Sequence, residues 1–451
     1  MRMKKHGPRP IAVLPLGFLM MILIGALLLT LPAASRLGER TPFPDALFTA
    51  TSASCVTGLI VRDTGTYFSL FGQIVIIVLI QLGGLGFMTM SAVLFSLTRR
   101  RVSLYERMSM AEGIGESKLS GVVALCRGAV FVTAICEGIG AALLALRFVP
   151  KYGPSAGLWR AVFTSISAFC NAGFDLNGNY ASFTGYTADA YTQLVIMALI
   201  VAGGLGFAVI KNVRTARSFH RFTLQTKLVL LATAGLIVLG TAVILFLEYN
   251  NPKTLGPMPF WEKTLNAMFQ SVTLRTAGFN TIDQLNLHDA TKGVGIALML
   301  VGGAPAGTAG GLKITTVLTL AISVMAYIRG RARTTVLGRT VPHEQIRKAM
   351  TVFFCGVLYL MTMTIVISAI EQYRTDAALG FWNQLYEATS AFCTVGISVG
   401  VTSVITTASR MILASMMFVG RVGLVTVAMS LTNYYRPEPL IGYPEESVQI
   451  G

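Results

Sequence analysis

The sequence predicts an all-α membrane protein of four covalently linked helix–pore loop–helix repeats, eight spans plus four pore half-helices, around one pseudo-fourfold pore. Three observations predict it. The chain of 451 residues is 53% hydrophobic and only 12% charged, which leaves too little polar surface to cover a soluble globule of that length. Apolar runs recur along it, each near or above the roughly 20 residues that cross a bilayer. Between those runs one short motif returns four times.

The runs cover residues 11–31, 70–97, 122–146, 191–210, 229–247, 291–328, 349–370 and 411–431. The first follows Arg2, Lys4, Lys5 and Arg9. Its apolar stretch is longer than an ordinary signal core, so it reads as a retained span. The recurring motif is Ser52-Ala53-Ser54-Cys55-Val56-Thr57-Gly58, then Ser167-Ala168-Phe169-Cys170-Asn171-Ala172-Gly173, Val272-Thr273-Leu274-Arg275-Thr276-Ala277-Gly278 and Ser390-Ala391-Phe392-Cys393-Thr394-Val395-Gly396. Its glycines lie 115, 105 and 118 residues apart, so each repeat has room for a multi-helix module rather than one solenoid turn. The expected units are 1–107, 108–217, 218–340, with a broken second helix, and 341–433, followed by a tail at 434–451.

Charge orients the chain. The net +16 is not spread as in a nucleic-acid binder: segments 1–10, 98–107, 211–227, 329–348 and 434–451 hold 20 Lys and Arg in 75 residues, whereas 33–70, 147–190, 250–292 and 371–410 hold 12 in 165. By the positive-inside pattern both termini are cytoplasmic, and the chain is expected to be multi-pass in a cell membrane with no nucleic-acid partner. The six cysteines show no zinc spacing or disulfide framework and read as small buried hydrophobes, and the four histidines are scattered. No acid-base or nucleophilic cluster appears, which argues against an enzyme.

In each outer segment a short apolar helix, at 44–54, 158–169, 260–272 and 381–392, precedes the motif. Such a helix can dip into the membrane and return but cannot cross it. Irregular backbone at that depth must be buried in protein or line a wet cavity, and the carboxyl end of a helix favours a cation. The residues before each glycine are mostly small or hydroxylic, leaving backbone carbonyls free to face an axis. Val56, Thr57 and Gly58, Asn171, Ala172 and Gly173, Thr276, Ala277 and Gly278, and Thr394, Val395 and Gly396 therefore form a candidate filter in which carbonyls replace the hydration shell of K⁺.

A second signature lies in the even-numbered spans. Gln81-Leu82-Gly83-Gly84-Leu85-Gly86-Phe87 matches Val201-Ala202-Gly203-Gly204-Leu205-Gly206-Phe207, where small residues are expected to let neighbouring backbones approach. The third copy runs on through Gly302, Gly303, Ala304, Pro305, Ala306, Gly307, Thr308, Ala309, Gly310, Gly311, Leu312 and Lys313. Glycines cost a helix ~1 kcal/mol each and a proline ~3, so two half-helices joined by an intramembrane loop are expected, with the loop as a gate on the pore axis. The fourth copy puts Arg421 where the others have glycine. A mid-span arginine is expensive and needs water or a partner, so Arg421 joins the candidate gate. Arg275, beside the third filter strand, is expected to turn outward.

With those motifs in place, the chain resembles, over nearly its whole length, the membrane subunit of the Ktr, Trk and HKT potassium transporters, closest to the bacterial Ktr type. The family's filter glycines fall on Gly58, Gly173, Gly278 and Gly396, its gating loop on 302–313 and its fourth-unit arginine on Arg421. The resemblance implies K⁺ uptake, with Na⁺ activating or co-transported, and a homodimer seated on a cytosolic ring of nucleotide-binding (RCK/KTN-type) regulatory subunits. The chain has no nucleotide site of its own. In the plant branch a serine at the first filter position accompanies Na⁺ transport, so Gly58 implies K⁺. The shared fourfold plan leaves the ion-channel-like subunit of an ATP-driven potassium pump as the alternative, with a membrane-embedded enzyme behind it.

Overall fold

The computed structural model describes residues 10–86, 89, 122–374, 376 and 379–431. The amino-terminal segment, the inner segment at 98–107 and the tail at 434–451 lie outside the described residues. The described chain is almost wholly helical. Its elements repeat one pattern four times: a long helix, a short helix, an irregular strand, and a helix that breaks.

The long helices are α1 (Pro10–Thr30), α4 (Val122–Tyr152), α8 (Leu224–Glu248) and α12 (His343–Glu371). Each contains a stretch long and apolar enough to cross a membrane. Three of them run past the expected spans at one or both ends, and the buried carboxylates that close two of them are held by hydrogen bonds, Glu248 from Thr254 and Thr291 and Glu371 from Thr406 and Ser409. The short helices are α2 (Phe43–Ser54), α5 (Pro154–Phe169), α9 (Phe260–Thr273) and α13 (Phe381–Phe392), within a few residues of the expected half-helices. Proline stands at the amino-terminal edge of the first three, where its fixed φ suits helix entry and its missing N–H costs nothing. At 12 to 16 residues, α2, α5, α9 and α13 are about 18 to 24 Å long, short of a bilayer crossing.

The breaking helices are α3 (Leu70–Leu85), the pair α6 (Ala190–Gly204) and α7 (Phe207–Ala216), the pair α10 (Asp289–Leu300) and α11 (Ile314–Ile328), and, after the short α14 (Val401–Val404), the pair α15 (Thr407–Val422) and α16 (Leu424–Leu431). The α6–α7 and α15–α16 pairs bend by 92° and 94°. The sequence reading of 191–210 and 411–431 as spans foresaw neither bend. Gly86 and Gly423 cap the ends of α3 and α15 and Gly206 opens α7, at φ of 81°, 96° and 84°, each with an extended ψ that a side chain disfavours. The neighbouring glycines have the expected packing role: a Cβ at Gly83, Gly203 or Gly420 would strike the carbonyl oxygen of Ser54, Phe169 or Phe392 at the end of the short helix of the same unit. In the third unit the one- or two-residue break becomes the loop 301–313. A two-stranded hairpin, β1 (Thr335–Val336) and β2 (Arg339–Thr340), follows α11.

Contacts between successive units close a circle on the loop side. Tyr180 joins the first two, its N–H donating to Asp63 Oδ2 at 2.8 Å and its hydroxyl to Val61 O at 2.9 Å. Phe183 N–H donates to Asn280 O at 2.9 Å between the second and third. Tyr386 donates to Gln284 Oε1 at 3.1 Å between the third and fourth, and Lys292 to Asn383 Oδ1 at 2.9 Å. Arg410 returns to Asp45 of the first unit at 3.5 Å, where Arg62 also binds at 2.9 Å. Of the six cysteines, Cys55, Cys126, Cys170 and Cys393 are buried as expected, whereas Cys136 is partly and Cys355 fully exposed on the long helices.

Candidate ion pathway

The four short helices point their carboxyl ends at one centre, and the chain leaves each in the same conformation. Val56, Asn171, Thr276 and Thr394 have φ of 56°, 60°, 68° and 50°, and the glycines two residues on have φ of 101°, 71°, 87° and 89°. For Val56, Thr276 and Thr394, β-branched residues in the left-handed region, this is real strain. The alternation has a use. A regular strand points successive carbonyls to opposite sides, whereas alternating the sign of φ brings them to one side.

The twelve candidate filter residues are all buried, and the structure brings them together. A Cβ on Gly58 would strike Ala172 O. One on Gly173 would come within 2.9 Å of Ala277 O, one on Gly278 within 2.8 Å of Val395 O, and one on Gly396 would strike Thr57 O. Each glycine thus faces the carbonyl preceding the next, and the circle closes. The side-chain oxygens of Thr57, Thr276 and Thr394 and the amide nitrogen of Asn171 are buried without a protein partner.

Hydroxyls in the last turn of each short helix hold these strands from behind. Ser52 Oγ accepts from Gly58 N and Ser390 Oγ from Gly396 N, both at 3.0 Å. Ser167 donates to Phe174 O at 2.7 Å and Thr273 to Phe279 O at 2.6 Å. Sequence reasoning missed a further support, Glu387. This fully buried carboxylate accepts from Ser398 Oγ at 2.7 Å, Val399 N at 3.0 Å, Thr402 N at 3.1 Å and Thr402 Oγ1, pinning the chain after Gly396. Its signal was available: an acid on the buried face of a short membrane helix requires partners. Arg275 turns away from the ring and donates to Thr233 Oγ1 of α8 at 3.3 Å.

A cavity of about 290 Å³ opens on the loop side of the ring, lined by the four glycines together with Asp175, Tyr180, Asp283 and Ser398. A second, of about 300 Å³, lies on the side of the helix breaks, lined by Gly86, Gly423, Pro305 to Gly307, Lys313 and Arg421. The loop of the third unit runs between the second and the fourth. Ala304 N donates to Gly204 O at 2.9 Å, Thr308 N to Gly203 O at 3.2 Å, and Phe207 N to Ala306 O at 2.9 Å, so the loop is tied to the broken helix of the second unit. Gly302 N bonds Leu312 O at 2.9 Å and Ile314 N bonds Gly303 O at 3.0 Å, cinching its base. Lys313 Nζ caps Ala309 O at 2.7 Å. Gly310 and Gly311 press against Thr394 and Cys393, with no room for side chains. Arg421 reaches in from the fourth unit: Nη1 donates to Thr308 O at 2.5 Å, and Nη2 to Gly83 O at 2.5 Å and Gly84 O at 3.0 Å in the first. One guanidinium therefore ties three units through backbone oxygens, the first-unit pair having been unforeseen from sequence.

A mainly helical membrane chain with backbone oxygens converging on one centre has the architecture of an ion-transport protein. The chain belongs to the TrkH family: the model described as "TrkH: Cation transport protein" matches residues 18–434. It is accordingly a cation transport protein and not an enzyme. It is 37% identical to the potassium/sodium uptake protein NtpJ of Enterococcus hirae, over 98% of this chain and 97% of the relative. It is 38% identical to the Ktr system potassium uptake protein B of Bacillus subtilis, again over 98% and 97%. The crystal structure of the potassium transporter TrkH from Vibrio parahaemolyticus superposes with a TM-score of 0.71 at 16% identity, covering 96% of this chain and 87% of that one, and supports the fold.

Proposed function

We propose that this chain takes K⁺ into a bacterial cell across its plasma membrane. The ion would pass through the ring formed by Gly58, Gly173, Gly278, Gly396 and the carbonyls beside them. The single observation that carries this is the closure of that ring, in which every glycine faces the carbonyl preceding the next. Carbonyls held by the protein can replace the ion's hydration shell. A relative named for potassium and sodium uptake and one named for potassium uptake support the choice of ion. Both termini are cytoplasmic in this reading, the glycine-lined cavity is outermost, and the 302–313 loop with Arg421 is the inner gate. The chain works as a homodimer on a cytosolic nucleotide-binding ring that moves this gate, and Na⁺ activates or accompanies transport.

Purified chain in liposomes, with K⁺ and Na⁺ varied separately and uptake followed with a radioactive rubidium tracer, tests the proposal. Saturable K⁺ uptake that Na⁺ accelerates is expected. Uptake of Na⁺ that K⁺ neither competes with nor accompanies would overturn it.

The outer cavity adds a pH dependence. Asp175 lies in the loop beyond the second filter strand. Burial, reinforced by the nearby Asp63, pushes its carboxyl up to about 7, against the Asn177 N–H that it accepts at 2.8 Å and the Arg160 guanidinium. A raised carboxyl is neutral below that pH and negative above it, so the cavity becomes more attractive to cations as outer pH rises through about 7. The K⁺ concentration for half-maximal uptake is expected to fall about two- to threefold across that step, and Asp175→Asn to flatten the profile. Uptake kinetics measured at outer pH on either side of the step provide the check.

A further inference from the structure

The loop that crosses the pathway also touches the ring above it, and one side chain makes the contact. Thr308 is fully buried, and its hydroxyl lies 2.9 Å from Phe169 O, at the end of the second short helix, and 3.4 Å from Asn171 Oδ1. Asn171 is the left-handed residue of the second strand, at φ 60°, directly before Ala172, whose carbonyl faces Gly58. The other strands carry Val56, Thr276 and Thr394 at this place, so only the second offers an amide to the loop. On the far side of the loop, Gly310 packs against Thr394 of the fourth strand. The two strands the loop touches are non-adjacent in the circle, and the loop supports both from below.

We propose that Thr308 is a positioning residue for ion selection: its hydroxyl, donating to Phe169 O and set against the Asn171 amide, holds the start of the second strand, and through it the Ala172 carbonyl, in register with the ring. The inference rests on the filter and gate reading given above. Its consequence is that the ring is tight while the loop lies across the pathway and loosens when the loop leaves. A passing ion therefore meets a less discriminating, faster-releasing ring only in the open state. The division of labour within one residue makes this separable from gating, because Arg421 bonds the Thr308 carbonyl whereas the ring contact uses the hydroxyl.

Thr308→Val keeps the side-chain shape and the carbonyl and removes only the hydroxyl. In liposomes it is expected to raise the K⁺ concentration for half-maximal uptake about fivefold, the effect of one lost hydrogen bond, and to lower K⁺ over Na⁺ discrimination. Thr308→Ser should restore both. Asn171→Gly, which keeps φ near 60° without strain, should show part of the same loss and shrink the effect of Thr308→Val, whose bond to Phe169 O remains. If Thr308→Val changes only the maximal rate, or if the two substitutions add independently, the coupling is overturned and Thr308 belongs to the gate alone. Gly173→Ser measured alongside separates this from failure of the filter reading: unaltered kinetics there would remove the ring itself, whereas altered kinetics with a silent Thr308→Val would remove only the coupling.

Discussion

Replacing Gly396 or Gly173 with serine is expected to raise the K⁺ concentration for half-maximal uptake at least about tenfold. Two effects add. Both glycines sit at positive φ, 89° and 71°, where a side chain costs about 1 kcal/mol or more. Each Cβ would also meet backbone: at Gly396 the Thr57 carbonyl and Gly58 Cα, the latter at 2.9 Å, and at Gly173 the Gly278 Cα at 2.7 Å. Backbone of the neighbouring strand in a narrow ring cannot swing aside as a flexible side chain can, so the carbonyls themselves must shift. At 1.4 kcal/mol per tenfold, the strain of one such residue accounts for most of the expected change, and the displaced oxygens for the rest. Tracer uptake over a range of K⁺ concentrations measures it. Wild-type kinetics in correctly inserted protein would mean that these glycines do not form the path.

Arg421→Gln is expected to raise K⁺ flux about tenfold in the absence of any regulatory partner, and deletion of residues 304–310 to raise it further. Arg421 holds Thr308 O, Gly83 O and Gly84 O at once, and a charge-assisted hydrogen bond is worth roughly 1.5 to 3 kcal/mol. Losing the bond to Thr308 alone shifts the loop's equilibrium by about an order of magnitude. Removing the charge also lowers an electrostatic barrier facing the ring. Arg421→Lys keeps the charge but not the planar fork that spans oxygens from two units, so its flux should fall between the parent and the glutamine variant. The loop deletion removes the obstruction together with its ties to Gly203 and Gly204. Flux abolished by charge removal in well-folded protein would make Arg421 a strut joining three units and end its role in the gate.

Much of this arrangement was legible in the sequence because each unit repeats a local rule. Short apolar helices led by proline, strand glycines in register and a glycine-rich interruption of one span are all signals of neighbouring residues, and the described elements start and stop within a few residues of them. Glu387 was legible only as an acid in need of partners, not as to which they are. Its partners Ser398, Val399 and Thr402 lie more than ten residues away, and nothing in the local pattern singles them out. The breaks at Gly86, Gly206 and Gly423 were half legible. Gly-Gly-x-Gly permits both close packing and a left-handed kink, and the choice depends on what lies beneath.

The sequence by itself determined that this is a fourfold-repeated helical membrane protein and which residues lead into each irregular strand. Hydrophobic run length and glycine conformational freedom are properties of the chain alone. Tertiary structure decided how the units meet: that Gly58 faces Ala172 O, that the loop of the third unit lies against the second and fourth, and that Arg421 bridges to Gly83 and Gly84. These partners are separated by more than 80 residues. They come together only once four units close on themselves, when the arginine bonds backbone oxygens that the broken helices leave free.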